Sequence, residues 1–291
     1  MKRILSHGLA LGVVLAAAVG CSSSTGTSES DDPTCQPGPK KTFILTALGF
    51  TRETSPGVAM GLDLDRHVSA VPEEATCGRL DLKAPDGTPG IDNQLSLIIP
   101  VIEKEFGNAL DGIIQGAIND GRLLISLDLQ NVNDSVNDRC VDMEVKLGEG
   151  KPSLGTDGVV EAYQTFDLRK TGQMISPAKG GKIENGVFTI GPFDLRIPIA
   201  VFDVAFTIFL RQALVTFKLD EEGNAEGILG GGVSIDEIAD GVKDGAGLAP
   251  FIPQIRTAGL LYSDMGYDGD LGRCTLASAA LTFKARPAFL R

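Results

Sequence analysis

Arg122-Leu-Leu-Ile-Ser-Leu-Asp-Leu-Gln130 places Leu123, Ile125, Leu127 and Leu129 on one face and Ser126, Asp128 and Gln130 on the other. Val141-Asp-Met-Glu-Val-Lys-Leu147 alternates as strictly. A period of two is the signature of a half-buried strand. The polar stretch Asn131 to Cys140 between them predicts an antiparallel pair. The same pattern predicts strands over Val159 to Phe166, Val187 to Ile190, Val201 to Leu210, Ala213 to Leu219 and Leu276 to Phe283. Asn185-Gly186 and Glu221-Glu-Gly-Asn224 read as hairpin turns. Val201 to Leu210 is apolar on both faces except at Asp203 and Thr207, which suits a central strand covered on both sides.

Two segments carry the helical period instead. Leu95, Ile98, Ile99, Ile102, Phe106, Leu110, Ile113, Ile114 and Ala117 recur at helical spacing, with Asp92 or Asn93 as cap and Gly121 beyond the end. Pro100 lacks an amide hydrogen, so the expectation is a short first helix and a second one starting at Pro100. Ser234-Ile-Asp-Glu237 is a capping box leading into Ile235, Ile238, Ala239 and Val242. The expected fold is mainly β, an antiparallel sandwich-like sheet with two or three covering helices. An α+β arrangement is the alternative class.

The 291 residues suffice for a self-sufficient core. Apolar patterning starts at Thr42-Phe43-Ile44-Leu45 and runs to Phe289-Leu290, so one globular domain is expected over residues 41–291. Lys plus Arg number 26 against 38 Asp plus Glu, a formal charge of −12. Nucleic-acid binding is therefore not expected, because phosphate contacts need clustered cations. His7 and His67 are the only histidines, which excludes a multi-histidine metal site.

At the N-terminus, Lys2 and Arg3 precede Gly8 to Gly20, 13 apolar or small residues, too short a run to span a bilayer. The run ends in Ala18-Val19-Gly20-Cys21, followed by Ser22, Ser23 and Ser24. This junction resembles a bacterial lipoprotein signal peptide, residues 1–20, although Ala18 stands where that family usually has Leu. The resemblance implies that Cys21 receives a diacylglycerol and becomes the mature N-terminus, anchoring the chain to a membrane. Ser22 is similar to the residue found there in lipoproteins sorted to the outer membrane, which implies an outer-membrane or cell-surface address. An ordinary secretory signal, with Cys21 a spare thiol, is the alternative. The body resembles other exported lipoproteins only in its Asp86-Gly-Thr-Pro-Gly-Ile-Asp92-Asn-Gln94 loop with a downstream Cys, a likeness that implies no activity.

Cleavage would remove two cations, leaving 24 basic against 38 acidic residues and a charge of −14. Residues 21–40 then form a lipidated tether, with no large apolar residue in SSSTGTSESDDPTCQPGPK. With Cys21 assigned to the lipid, Cys35, Cys77, Cys140 and Cys274 remain, and in an oxidising compartment two disulfides are expected. Three connectivities are open. A four-thiolate zinc site needs closely spaced cysteine pairs, which the chain lacks.

The chemistry-bearing candidates are aspartates. Asp63-Leu-Asp65 projects two carboxylates to one side of an extended segment. Asp86, Asp92 and Asn93 share one turn-rich loop, and Asp264, Asp268 and Asp270 share another. Such loops suit a structural calcium ion, which takes six to eight oxygens, although ordinary turn chemistry uses the same residues. Neither loop follows the twelve-residue helix-loop-helix calcium pattern. Paired carboxylates could also serve a glycoside hydrolase. With no Trp and only three Tyr, the usual sugar platforms are missing. No Gly-x-Ser-x-Gly elbow accompanies His67, and Gly227-Ile-Leu-Gly-Gly-Gly232 lacks the Lys of a phosphate loop, so it reads as a close backbone approach. The expectation is a lipid-anchored envelope protein with a non-enzymatic binding or structural role toward a protein or glycan. A carboxylate hydrolase and an apolar-ligand carrier are the alternatives.

Overall fold

The two stretches quoted first do pair antiparallel, Leu124 to Gln130 against Gly148 to Asp142. They belong to a larger ring, seen in a computed structural model that describes residues 35–71, 77–106, 110–170, 176–201, 204–243 and 249–291. The side chains of residues 105, 106, 199–201 and 204–206 are outside that description. So are the leader, Cys21 and the tether up to residue 34.

Eight strands form the ring: β1 Lys41–Phe50, β2 Leu124–Gln130, β3 Asn137–Glu149, β4 Ser176–Glu184, β5 Val187–Val201, β6 Val204–Leu219, β7 Ala225–Val233 and β8 Arg273–Pro287. Each pairs antiparallel with the next, and β8 returns to pair with β1, Phe43 opposite Pro287 and Phe50 opposite Leu281. The fold is mainly β, but it is a closed eight-stranded barrel and not the expected sandwich. Alternation cannot separate the two, because one apolar face per strand serves either. The β1–β8 ladder decides, since it leaves the ring no open edge.

Inward-facing side chains fill the barrel. Phe217 packs against Phe43, Phe188 and Phe283 with centroid separations of 4.8 to 6.1 Å. Between Leu45, Leu127, Leu195 and Phe283 a cavity of about 20 Å³ remains. The outward residues Lys179, Lys182, Arg196, Lys218, Glu226 and Lys284 are exposed, the reverse of the apolar outer band of a membrane-spanning barrel.

Several local expectations need correction. β2 is buried on both faces, with Ser126 and Asp128 at 1% and 0% exposure. A second layer lies over the neighbouring β1 and β8: Gln115 donates to the Thr46 carbonyl at 2.9 Å and Arg286 to that of the buried Val160 at 3.0 Å. Asp128 tolerates burial because Lys40 and Lys146 lie at 2.8 and 2.9 Å. Val159 to Phe166 is not one strand; a Leu154–Val160 bridge and the short strand Thr165–Leu168 replace it. Val201 to Leu210 is not one central strand either, because Val201 pairs with Val204 across a hairpin.

Helix α1 (Leu95–Phe106) runs through Pro100 where a break is expected. Proline removes one hydrogen bond, and the burial of Leu95, Ile98 and Ile99 on the barrel holds the turn before it. Neither Asp92 nor Asn93 caps α1 with its side chain; Ser96 donates to the Asn93 carbonyl instead. Helix α2 (Leu110–Asn119) does end at Gly121, whose φ of +76° is a glycine conformation. Helix α3 (Ile235–Val242) carries the expected cap, with Ser234 Oγ accepting from the Glu237 amide. Helix α4 (Ile252–Tyr262) is an addition, so the described residues hold four helices where two or three are expected.

The cysteines pair Cys35–Cys140 and Cys77–Cys274, with Cα separations of 5.4 and 5.8 Å.

Candidate cation-binding site

Between β1 and α1 the chain makes a small four-stranded sheet from Glu53–Ser55, Val58–Ala59, Leu82–Lys83 and Pro89–Ile91. The segment after Ala59 lies on the outer barrel wall, where Leu62 and Leu64 pack with Leu214, Met265 and Leu276. This explains one of the glycines in β7. A Cβ at Gly230 would sit 3.1 Å from Leu64 and 3.3 Å from Leu62, so a bare backbone is what lets the segment settle.

Docking this segment brings Asp63 and Asp65 to Asp92. One carboxylate oxygen from each lies within 4.8 Å of the others. Asp63 and Asp65 are exposed, and Asp92 is 4% exposed. Asp92 Oδ2 accepts from the Leu64 amide at 2.7 Å and the Asp65 amide at 3.1 Å, tying its own strand to the Asp63–Asp65 segment. A Leu62–Asp92 backbone bridge supports that tie. Burial, reinforced by the Asp65 charge, pushes the Asp92 carboxyl up to about 8, despite the two amides. The group is therefore protonated at neutral pH, and a nearby cation would reverse that.

The remaining candidates divide. Asp264 accepts from the Ser278 amide at 2.7 Å and the Ser278 hydroxyl at 2.6 Å, and Ser278 Oγ accepts from the Gln94 amide at 2.8 Å. Burial raises Asp264 to about 6, and its charge contributes to the elevation at Asp92. It borders the cluster without being one of the three converging carboxylates. Asn93 is fully buried and faces structural partners: its amide donates to Thr51 Oγ1 and to the Met60 carbonyl, and its Oδ1 accepts from the Ala280 amide. Asp86 caps its own turn by accepting from the Thr88 amide at 2.9 Å. Asp268 accepts from the amides of Asp270 and Leu271, so that loop is turn chemistry and Asp270 brings no ligand to the cluster. In Asn131 to Asp138 the last aspartate likewise accepts from the amides of Asn133, Asp134 and Cys140. His67 is exposed, with Nδ1 3.3 Å from Ser69 Oγ.

One participant has no sequence signal. Asp81 sits in an unremarkable Leu80-Asp-Leu82, yet it accepts from the Ser69 amide at 2.6 Å. Burial raises its carboxyl, and the Asp65 and Asp63 charges add to the effect.

Chemically, the cluster offers three carboxylates from two segments, one oxygen of each within 4.8 Å of the others. Water would complete the coordination of a hard cation. No protein-family model, curated protein or solved structure matches the chain.

Proposed function

We propose that this chain is an exported, lipid-anchored cell-envelope protein with a binding or structural role, stabilised by calcium held between Asp63, Asp65 and Asp92. The observation that carries the cation is the convergence of these three carboxylates from two separate segments. The lipid anchor rests on Ala18-Val19-Gly20-Cys21, and two disulfides suit an exported protein. Among the described residues no helix is long and apolar enough to cross a membrane, so attachment would fall to the acyl chains on Cys21.

Thermal unfolding in chelator and in millimolar calcium tests the cation. The melting temperature rises with calcium in the native sequence and stays put in Asp63→Asn. An unchanged melting temperature in the native sequence removes calcium from the proposal. Metabolic palmitate labelling tests the anchor, because label and membrane association should both disappear in Cys21→Ala.

The second reading is a carboxylate hydrolase, favoured by Asp92 staying protonated beside two further carboxyls. Turnover of glycan or ester substrates that is abolished in both Asp63→Asn and Asp92→Asn would support it. For the carrier alternative, the cavity among the described residues of the barrel interior measures about 20 Å³, against hundreds of Å³ in ligand pockets.

A further inference from the structure

We infer that the Cys35–Cys140 disulfide sets the orientation of the body on its membrane. The barrel end that carries this disulfide faces the bilayer, and the helix-bearing end points away. The inference rests on the lipid-anchor reading and adds to it which surface is presented to partners.

The barrel is an up-and-down ring, so its connections sort onto two ends. At one end lie the start of β1, the loop from Gln130 to Asn137, the Asn185-Gly186 turn, the Asp220–Asn224 turn and the end of β8. Both helical insertions leave and return at the opposite end. α1 and α2 lie between Phe50 and Leu124, and α3 and α4 between Val233 and Arg273. The β5–β6 hairpin also runs past the last β6–β7 pair, Leu210 with Val233, and so projects from that helical end.

The chain entering β1 is fastened to the first end. Cys35 is bonded to Cys140 near the start of β3, and three hydrogen bonds hold the residues that follow. Asn133 Nδ2 donates to the Gln36 carbonyl at 3.0 Å, the Gly38 amide to Asn131 Oδ1 at 3.4 Å, and the Val132 amide to the Pro39 carbonyl at 3.0 Å. Cys35, the first described residue, stands 14 residues after Cys21 in the sequence.

Fourteen residues reach at most about 50 Å when fully extended. A flexible chain of that length would span roughly 20 Å. Tilted by about 40° as barrel strands are, the 15 residues of β5 rise roughly 38 Å along the axis, so turning the helical end toward the bilayer would take most of the tether's reach along the barrel wall. A flexible tether would avoid that cost with the stapled end nearest the membrane.

The test uses full-length lipidated protein on phosphatidylcholine vesicles that carry a headgroup quencher. A dye is attached at Val136→Cys, in the stapled-end loop, or at Leu260→Cys on α4; both positions are exposed. Mass analysis verifies that both native disulfides are intact. Quenching at least twofold stronger at position 136 is expected, and the difference should narrow when Cys35→Ser and Cys140→Ser are added together. Equal quenching, or stronger quenching at 260, on vesicle-bound protein overturns the orientation. Lipid missing from Cys21 together with no vesicle binding overturns the anchor reading beneath it, and the two failures are distinguishable.

Discussion

Replacing Asp92 by Asn should stabilise the cation-free protein at neutral pH and do almost nothing in acid. The native carboxyl sits at about 8, above the ordinary 3.8, because it is 4% exposed and faces the Asp65 charge. A carboxyl raised on folding holds its proton more tightly in the native state. Its contribution is complete below the unfolded value and is lost as pH rises through the window from 3.8 to about 8. At pH 7 the linkage amounts to about 4 kcal/mol at most, at about 1.4 kcal/mol per unit. Relaxation and water entry should reduce this to about 2 kcal/mol. Asparagine is neutral in both states, and its Oδ1 can still accept from the Leu64 and Asp65 amides, so Asp92→Asn escapes the loss without losing the tie. Urea unfolding followed by circular dichroism, in chelator at pH 4, 5.5, 7 and 8.5, measures the effect. The two proteins should coincide at pH 4 and separate by about 2 kcal/mol at pH 7, with the variant more stable. A variant less stable than native at pH 7, or a difference independent of pH, would refute the account of Asp92. In calcium the order should reverse, because the variant loses a ligand.

Gly230→Val should cost about 2 kcal/mol by pushing Leu62 and Leu64 off the barrel wall, and it should also weaken the calcium-induced melting shift. Leu127→Ala, inside the barrel, should lower unfolding free energy by about 3 kcal/mol by chemical denaturation. Ser234→Ala removes the oxygen that accepts the Glu237 amide and should cost about 1 kcal/mol in the same assay.

Much of the barrel is legible along the chain because strand pairing between neighbours is local. The β2–β3 pair follows from alternation on either side of a polar loop, and the turn at Asn185-Gly186 takes the positive φ those residues favour. The α3 cap is legible for the same reason, since Ser234 and Glu237 lie within one turn. Errors gather where a distant segment changes the meaning of a local pattern. Asp128 looks like the wet face of a strand, yet it is fully buried and paired with lysines on two other segments. Pro100 looks like a helix breaker, but packing against the barrel outweighs one missing hydrogen bond. Asn93 looks like a ligand or cap, and its side chain is taken by Thr51, Met60 and Ala280.

By itself the sequence determines the strand-rich class, the acidic surface and an even set of four body cysteines, because alternation, charge and parity are properties of the chain read in order. Tertiary structure alone decides that the sheet closes on itself, that Cys35 meets Cys140, and that Asp63 and Asp65 meet Asp92. Closure depends on β1 hydrogen-bonding to β8 more than two hundred residues away. The aspartates converge because Leu62 and Leu64 pack with Leu214, Met265 and Leu276 where Gly230 leaves room. Such contacts are set by the shape of surfaces that exist only after folding, and no spacing along the chain encodes them.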